Sequence, residues 1–219
     1  MRSTCLSIAV LSALAAPALA TTSQPSAVVE LFTSQGCSSC PPANAFVTEL
    51  DQSHTDVLAL SYGVTYWDYL GWKDTFGHPD FTKRQKAYDA ALDSGVYTPM
   101  LVVAGRHHGP RLTEATAIGT SIPASLKLAA HAGMHCIEGD LPVGSKLALV
   151  EYRPGTKTVS VKSGENHGRT LTLTNVVTAV RYKDWSGEPI CGLQPEQALA
   201  VLAHDSQTSA IIGAARYEP

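Results

Sequence analysis

Two cysteines spaced as Cys37-Ser38-Ser39-Cys40, followed at once by Pro41-Pro42, are the residues of this sequence best suited to do chemistry. A thiol attacks a disulfide only as its thiolate, and a helix start stabilises that anion with free backbone N–H groups and the positive end of the helix dipole. Proline's missing N–H is harmless in a first helical turn, so Pro41-Pro42 predicts a helix opening directly behind the pair. Cys37 is then the solvent-reachable nucleophile, and Cys40, one turn on, the resolving thiol that collapses a mixed disulfide. Ser38 and Ser39 add no charge and little bulk, leaving the tuning to the backbone. The same pair also suits a structural disulfide or part of a metal site. A structural zinc site needs a second ligand pair, and the sequence has no other C-x-x-C. Copper(I) needs only the Cys37 and Cys40 thiolates, with Met100 a third candidate ligand, although a Met in a strand is more often core.

The compartment matters for such chemistry. Arg2, an uncharged run from Leu6 to Ala16, Pro17 and Ala18-Leu19-Ala20 form a signal peptide over residues 1–20, cut near Ala20, which predicts a periplasmic or secreted protein. The apolar run falls short of the roughly 20 residues needed to span a bilayer. No later run approaches that length, so no membrane span is expected in the mature chain. Of 219 residues, 199 remain after the leader, enough for one large domain or two small ones. Cys5 leaves with the leader, and four cysteines stay: Cys37, Cys40, Cys136 and Cys191. They allow three full pairings; close spacing favours Cys37 with Cys40, leaving Cys136 and Cys191 for each other or free. Losing Arg2 from 16 basic side chains leaves 15 against 19 acidic ones, with no Lys/Arg cluster, which argues against nucleic acid as a partner.

The elements that must position the cysteines can be read in order. Ala27 to Phe32 is a short, β-branched apolar run, a buried strand; Thr33 to Cys40 is a polar loop; helical spacing follows through Ala45, Val47 and Leu50. Val57 to Ser61 reads as a second strand, Phe81 to Leu92 as a second helix, and Met100 to Val103, directly behind Thr98-Pro99, as a third strand. Strands alternating with helices imply a partly parallel sheet in an α/β region. The second half changes character. Leu147–Tyr152, Thr158–Val161, Leu171–Tyr182, Ala198–Ala203 and Ala210–Ala215 read as short strands joined by Pro-Gly, Ser-Gly and Ser-Gln turns, an antiparallel region behind a linking helix near Pro123 to Ala132. The domains are therefore set at residues 26–132 and 133–219. Gly164 to Thr170 reads as a hairpin loop, rich enough in polar groups to face the cysteines as well.

A strand, a C-x-x-C at the mouth of the next helix and a later Thr-Pro opening a strand together resemble the thioredoxin fold. The string Glu30 to Ala43, with Tyr66 to Asp74, Val96 to Pro99, Gly164-Glu165-Asn166, Gly168-Arg169-Thr170 and Asn175-Val176-Val177, is similar to the secreted thioredoxin-like family known as domain of unknown function 1223. Gly63 and Thr65 depart from it, standing where a histidine and an aspartate are expected. The resemblance implies a thioredoxin-like α/β domain followed by a smaller antiparallel β-rich domain. It also implies a cis Thr98–Pro99 bond beside the cysteines, with the backbone of Thr98 free to pair with an extended substrate. The expectation is an exported thiol–disulfide oxidoreductase with Cys37, Cys40 and Pro99 at its catalytic centre. It would need no cofactor beyond its redox-active disulfide, and would act with thiol or disulfide substrate proteins and a recycling partner. The alternative is a non-enzymatic copper(I) binder or redox-sensing adaptor.

Other candidates are weaker. Trp67, Tyr69 and Trp72 form either a substrate-receiving wall over the cysteines or the filling of a seam, and aromatic rings bury area wherever they can. Asp68, Lys73 and Asp74 could tune a thiol, but read more readily as solvated loop charges. His131, His135 and Cys136 could ligate a metal only if one helix aligned them, which Gly133 interrupts. His107-His108 reads as a hydrated turn between glycines.

Overall fold

The computed structural model describes residues 21–131 and 133–219; the signal peptide read from residues 1–20 lies outside them. Three strands build the centre: β2 (Ala27–Thr33), β3 (Val57–Gly63) and β4 (Met100–Val103). β2 pairs with β3 in parallel and with β4 antiparallel. Its sequence is apolar almost throughout because it is covered on both faces: Val28 and Phe32 enter one core, Ala27, Val29 and Leu31 the other. Two helices flank these strands. α1 (Pro41–Ser53) buries Ala43, Val47 and Leu50, one stripe at helical spacing. α2 (Pro79–Leu92) is capped by His78, whose ring accepts from the Asp80 N–H at 3.2 Å. β5 (His107–Gly109) continues from β4, so His107 and His108 lie in a strand rather than a free turn, with His108 Nδ1 3.0 Å from the Tyr97 hydroxyl. A short α3 (Glu114–Gly119) follows.

The helix predicted near Pro123 to Ala132 is instead a strand, β6 (Leu126–His131), paired antiparallel with β7 (Met134–Gly139). Leu126 and Leu128 are buried and Lys127 between them is exposed, the two-residue period of a half-covered strand. The two strands read at Leu147–Tyr152 and Thr158–Val161 are one, β8 (Lys146–Ser160), irregular between Arg153 and Thr156. It forms a long hairpin with β9 (Thr170–Asp184). β10 (Ile190–Leu193), β11 (Ala198–His204) and β12 (Ile211–Glu218) complete the chain, with a short β1 (Thr21–Ser23) against β12.

The result is a mixed α/β architecture with few helices: a nine-stranded sheet in the order β1-β12-β11-β8-β9-β3-β2-β4-β5, and a separate antiparallel sheet β10-β7-β6. Strands from residues 26–132 and from 133–219 thus hydrogen-bond in one sheet. The junction is parallel, with Ser61 of β3 opposite Val176 of β9. Asn175 reinforces it: in left-handed backbone (φ 48), its side chain donates to the Ala59 carbonyl and the Asp51 carboxylate and accepts the Gly155 N–H. Being long and bent there, the β8–β9 hairpin carries its closing loop, residues 161–169, to the end of the sheet where β2 delivers the cysteines. No helix among the described residues is long and apolar enough to cross a membrane.

Candidate functional site

β2 ends at Thr33, and residues 34–40 turn before α1 begins at Pro41. Cys40 is the helix N-cap residue, and its carbonyl takes the N–H groups of Ala43 and Asn44. Cys37 and Cys40 are disulfide-bonded, with Cα atoms 5.5 Å apart. The Thr98–Pro99 peptide is cis and borders the same turn: Ser39 Oγ lies 3.5 Å from the Thr98 carbonyl and 3.3 Å from Cys37 Sγ. Trp67 closes another side. Its Nε1 donates to Thr98 Oγ1 at 2.6 Å, and its Cβ and carbonyl oxygen border Gly36.

Cys37 is 3 % exposed, so the freely solvent-reachable sulfur read from the sequence is not what the structure shows. The covering groups come from far along the chain, where no local spacing announces them. On the hairpin loop, Asn166 is completely buried. Its Nδ2 donates to the Gln35 carbonyl at 2.9 Å and the Cys37 carbonyl at 2.8 Å, and its Oδ1 accepts from Arg169. Beside it the Glu165 carboxylate accepts the Ser38 N–H at 3.1 Å, and Ser38 holds that carboxyl below its ordinary pKa.

Asp74 grips the opposite flank. It is 3 % exposed rather than a solvated loop charge, and its carboxylate accepts the N–H groups of Gln35 at 2.7 Å and Phe76 at 2.8 Å. Burial pushes its carboxyl up to about 6, against the pull of those N–H bonds. The Gln35 side chain accepts Trp72 Nε1 at 2.9 Å and donates to Thr75 at 2.9 Å. The three aromatic residues therefore divide. Trp72 packs in the seam with Val161, Leu171, Leu173 and Val176; Trp67 borders the cysteines; Tyr69, 76 % exposed, stacks on Trp67 with ring centroids 6.2 Å apart.

The remaining candidates lie elsewhere. Met100 is core, its sulfur taking Gln85 Nε2 at 3.6 Å. Cys136 and Cys191 are bonded to each other, joining β7 to β10 in the small sheet. His131 Nε2 meets the Glu138 carboxylate at 2.7 Å and His135 packs edge-on against Tyr217, so the two rings do not converge. Among the described residues no group of three or more His, Cys, Asp or Glu side chains is arranged to hold a metal ion. The Gly164–Thr170 loop does face the cysteines, as the sequence allowed, although none of Glu165, Asn166, Arg169 and Gln35 was given a site role there. The one signal for them is the density of hydrogen-bonding side chains in a loop between two apolar strands.

Two bonded cysteine pairs in a mixed α/β fold, one of them a C-x-x-C at a helix start, define a disulfide-bearing protein whose covalent equipment is compatible with a redox role. The chain belongs to the family described as Protein of unknown function (DUF1223), which it matches over residues 28–212. It is similar to the crystal structure of protein AGR_C_4864 from Agrobacterium tumefaciens, with 30% identity and a TM-score of 0.69 over 89% of this chain and 94% of that one. HBP35 of Porphyromonas gingivalis, at 17% identity, shares the fold at a TM-score of 0.55 over 88% of this chain and 74% of its own. No curated protein matches.

Proposed function

We propose that the chain is an exported thiol–disulfide oxidoreductase of thioredoxin-like fold, acting on protein or small-molecule thiols with no cofactor other than its own disulfide. The observation that carries this reading is the Cys37–Cys40 bond directly before α1, with Ser39 Oγ between Cys37 Sγ and the Thr98 carbonyl. In the oxidising direction a substrate thiolate attacks Cys37 Sγ, the Cys37–Cys40 bond breaks, and Cys40 leaves as a thiolate that takes up a proton. A second substrate thiolate then attacks the substrate sulfur of the mixed disulfide. The substrate departs oxidised, Cys37 departs as a thiolate, and two electrons stay with the pair. Reduction of a substrate is the reverse, and a recycling partner resets the pair in either case.

The surroundings support specific roles. Ser39 has one hydroxyl proton for two acceptors, the Thr98 carbonyl and Cys37 Sγ; once Cys37 is a thiolate, the charged acceptor takes it. Asn166 and Asp74 hold the turn, and Trp67, Tyr69 and Thr98 line the approach. The test is insulin reduction and refolding of a scrambled disulfide protein, with Cys37→Ser as control, beside copper(I) titration of the reduced protein. Turnover that disappears in Cys37→Ser is the expected outcome. One equivalent of copper bound without thiol transfer would replace the enzyme by a metal carrier.

A further inference from the structure

The second disulfide presents the more open sulfur. Of the four cysteines in the described residues, Cys37 and Cys136 are 3 % exposed and Cys40 is fully buried, whereas Cys191 lies at the surface. Beside it Gly192 stands in left-handed backbone (φ 88), and a Cβ built there would meet nothing within 4 Å. A thiol arriving from solvent therefore finds open space next to Cys191 and closed structure around the other three.

The strand that carries Cys191 is also held lightly. β10 is the edge of the three-stranded sheet and pairs only with β7. Ile190 stands opposite Ile137 and Leu193 opposite His135, so Cys191 and Gly192 together face the single residue Cys136. Such a bulge leaves the extra residue unpaired and disrupts the ladder. Residues from Ser186 to Pro189 are exposed, as are Gln194 and Glu196. Firm anchors lie beyond them. On one side the Trp185 N–H donates to the Ser145 carbonyl, and the Trp185 carbonyl accepts the Gly144 N–H. On the other, the Gln197 side chain meets Thr178 and Glu151. Between these anchors, residues 186–196 are fixed by the interrupted β10–β7 pairing, by the partly buried Ile190 and Leu193, and by the Cys136–Cys191 bond.

We propose that Cys191 is a site of thiol exchange in its own right, independent of the function proposed for Cys37 and Cys40, and that its reactant is a small-molecule monothiol. The thiolate attacks Cys191 Sγ, the bond to Cys136 breaks, and Cys136 leaves with the electron pair and takes up a proton. The product is a mixed disulfide at Cys191. A second thiolate attacking the small-molecule sulfur then departs as a disulfide with it, and both cysteines are left reduced. A buried thiolate is a poor leaving group, so the exchange is completed as β10 lifts from β7 and uncovers Cys136. Lifting frees residues 186–196 and bares the β7 edge, where Ile137 belongs to the core with Leu126, Leu128 and Trp185.

The test uses residues 21–219 carrying Cys37→Ser and Cys40→Ser, which leaves one disulfide, with millimolar reduced glutathione as probe. Alkylation with peptide mass spectrometry locates the adduct, and amide hydrogen exchange follows the strand. The adduct is expected on Cys191 with Cys136 a free thiol, forming at a rate proportional to glutathione and nearly flat in dilute urea. Residues 186–196 should exchange about tenfold faster or more in the modified protein, while β2 and β8 stay protected. Should the double variant misfold, the unsubstituted chain carries the same readout, since the peptides of the two pairs are distinct. The proposal is overturned by the absence of an adduct at Cys191, by equal modification of Cys136, by a rate that climbs with urea as steeply as global unfolding does, or by unchanged exchange in residues 186–196.

Discussion

Asn166 uses one amide nitrogen to satisfy two carbonyls of the cysteine turn, and removing it leaves the buried Gln35 carbonyl with no donor. Asn166→Ala is expected to cost about 1–3 kcal/mol, read as a fall in the urea midpoint, and to shift the reduction potential of the Cys37–Cys40 pair. A variant with unchanged potential would make the contact purely structural. Ser39→Ala, an exposed change, should raise the Cys37 thiol pKa by about one unit through loss of a charge-assisted bond, measured by alkylation rate against pH. Titration separates two other side chains. Asp74 keeps its proton up to about pH 6 in the folded chain, against an ordinary 3.8. The native state therefore binds the extra proton between those values, and stability falls as pH rises through that window. His204 moves oppositely: burial, then the neighbouring Arg84, lower it from 6.5 to about 4. There the unfolded state binds the extra proton, so stability rises with pH across that interval and is lost as pH drops through it. The two slopes oppose each other. Over about pH 4–6 the two contributions nearly cancel, so Asp74→Asn should give a urea midpoint that rises with pH across that window and His204→Gln one that falls; superimposable profiles for all three proteins would remove both assignments. The cysteines and Thr98-Pro99 could be singled out in the sequence because their meaning is local. Asn166 and Asp74 stand in segments the sequence pointed to, but their roles were not readable, since a polar side chain is indistinguishable from a hydrated one until its distant partner is known.

Among the elements, the loop from Thr65 to Gly77 shows how tightly its ends are held. It returns to the end of β3 so closely that a Cβ on Gly63 would lie 2.8 Å from the Phe76 carbonyl oxygen and 3.0 Å from the Gly77 nitrogen. Those are backbone atoms that also support Asp74 and the hydrogen bond from the His78 N–H to the Gly63 carbonyl. Gly63→Ala is therefore expected to destabilise by about 1–3 kcal/mol, seen as a lower melting temperature. An unchanged value would mean the loop yields freely. β6 illustrates why element type was harder to read than element position. Ala, Leu and Lys over residues 126–132 favour a helix when taken alone, yet Leu126 and Leu128 both enter the core shared with Leu147, Leu199 and Val201. Cross-strand pairing with β7 outweighs a propensity of a few tenths of a kcal/mol per residue. The Pro154-Gly155 turn signal was real as a bend, but Asn175 accepts the Gly155 N–H and the strand continues beyond it.

For the molecule as a unit, the decisive feature is that the core on the α2 side draws residues from both halves: Phe32, Tyr62 and Phe81 pack with Val150, Tyr152, Val177 and Leu202. A chain ending at residue 132 would leave that face uncovered and the outer edge of β3 unpaired. Residues 21–132 made alone are expected to show no dispersed amide spectrum and no cooperative melting, while residues 21–219 unfold in a single calorimetric transition. Cooperative unfolding of the fragment would mean two units that merely share hydrogen bonds. The alternation of strands and helices in the first half and the strand-rich second half were both readable from periodicity. Their fusion into one sheet was not, because one parallel contact between β3 and β9 makes it. Position along the chain gives the Asn166 clamp a temporal side. It lies 129 residues downstream of Cys37, so at ribosomal speed roughly 6 to 26 s separate the birth of the two. Every nascent molecule passes through an interval in which Cys37 and Cys40 have no covering loop. Synthesis order, before any equilibrium, sets which sulfur each of them meets first.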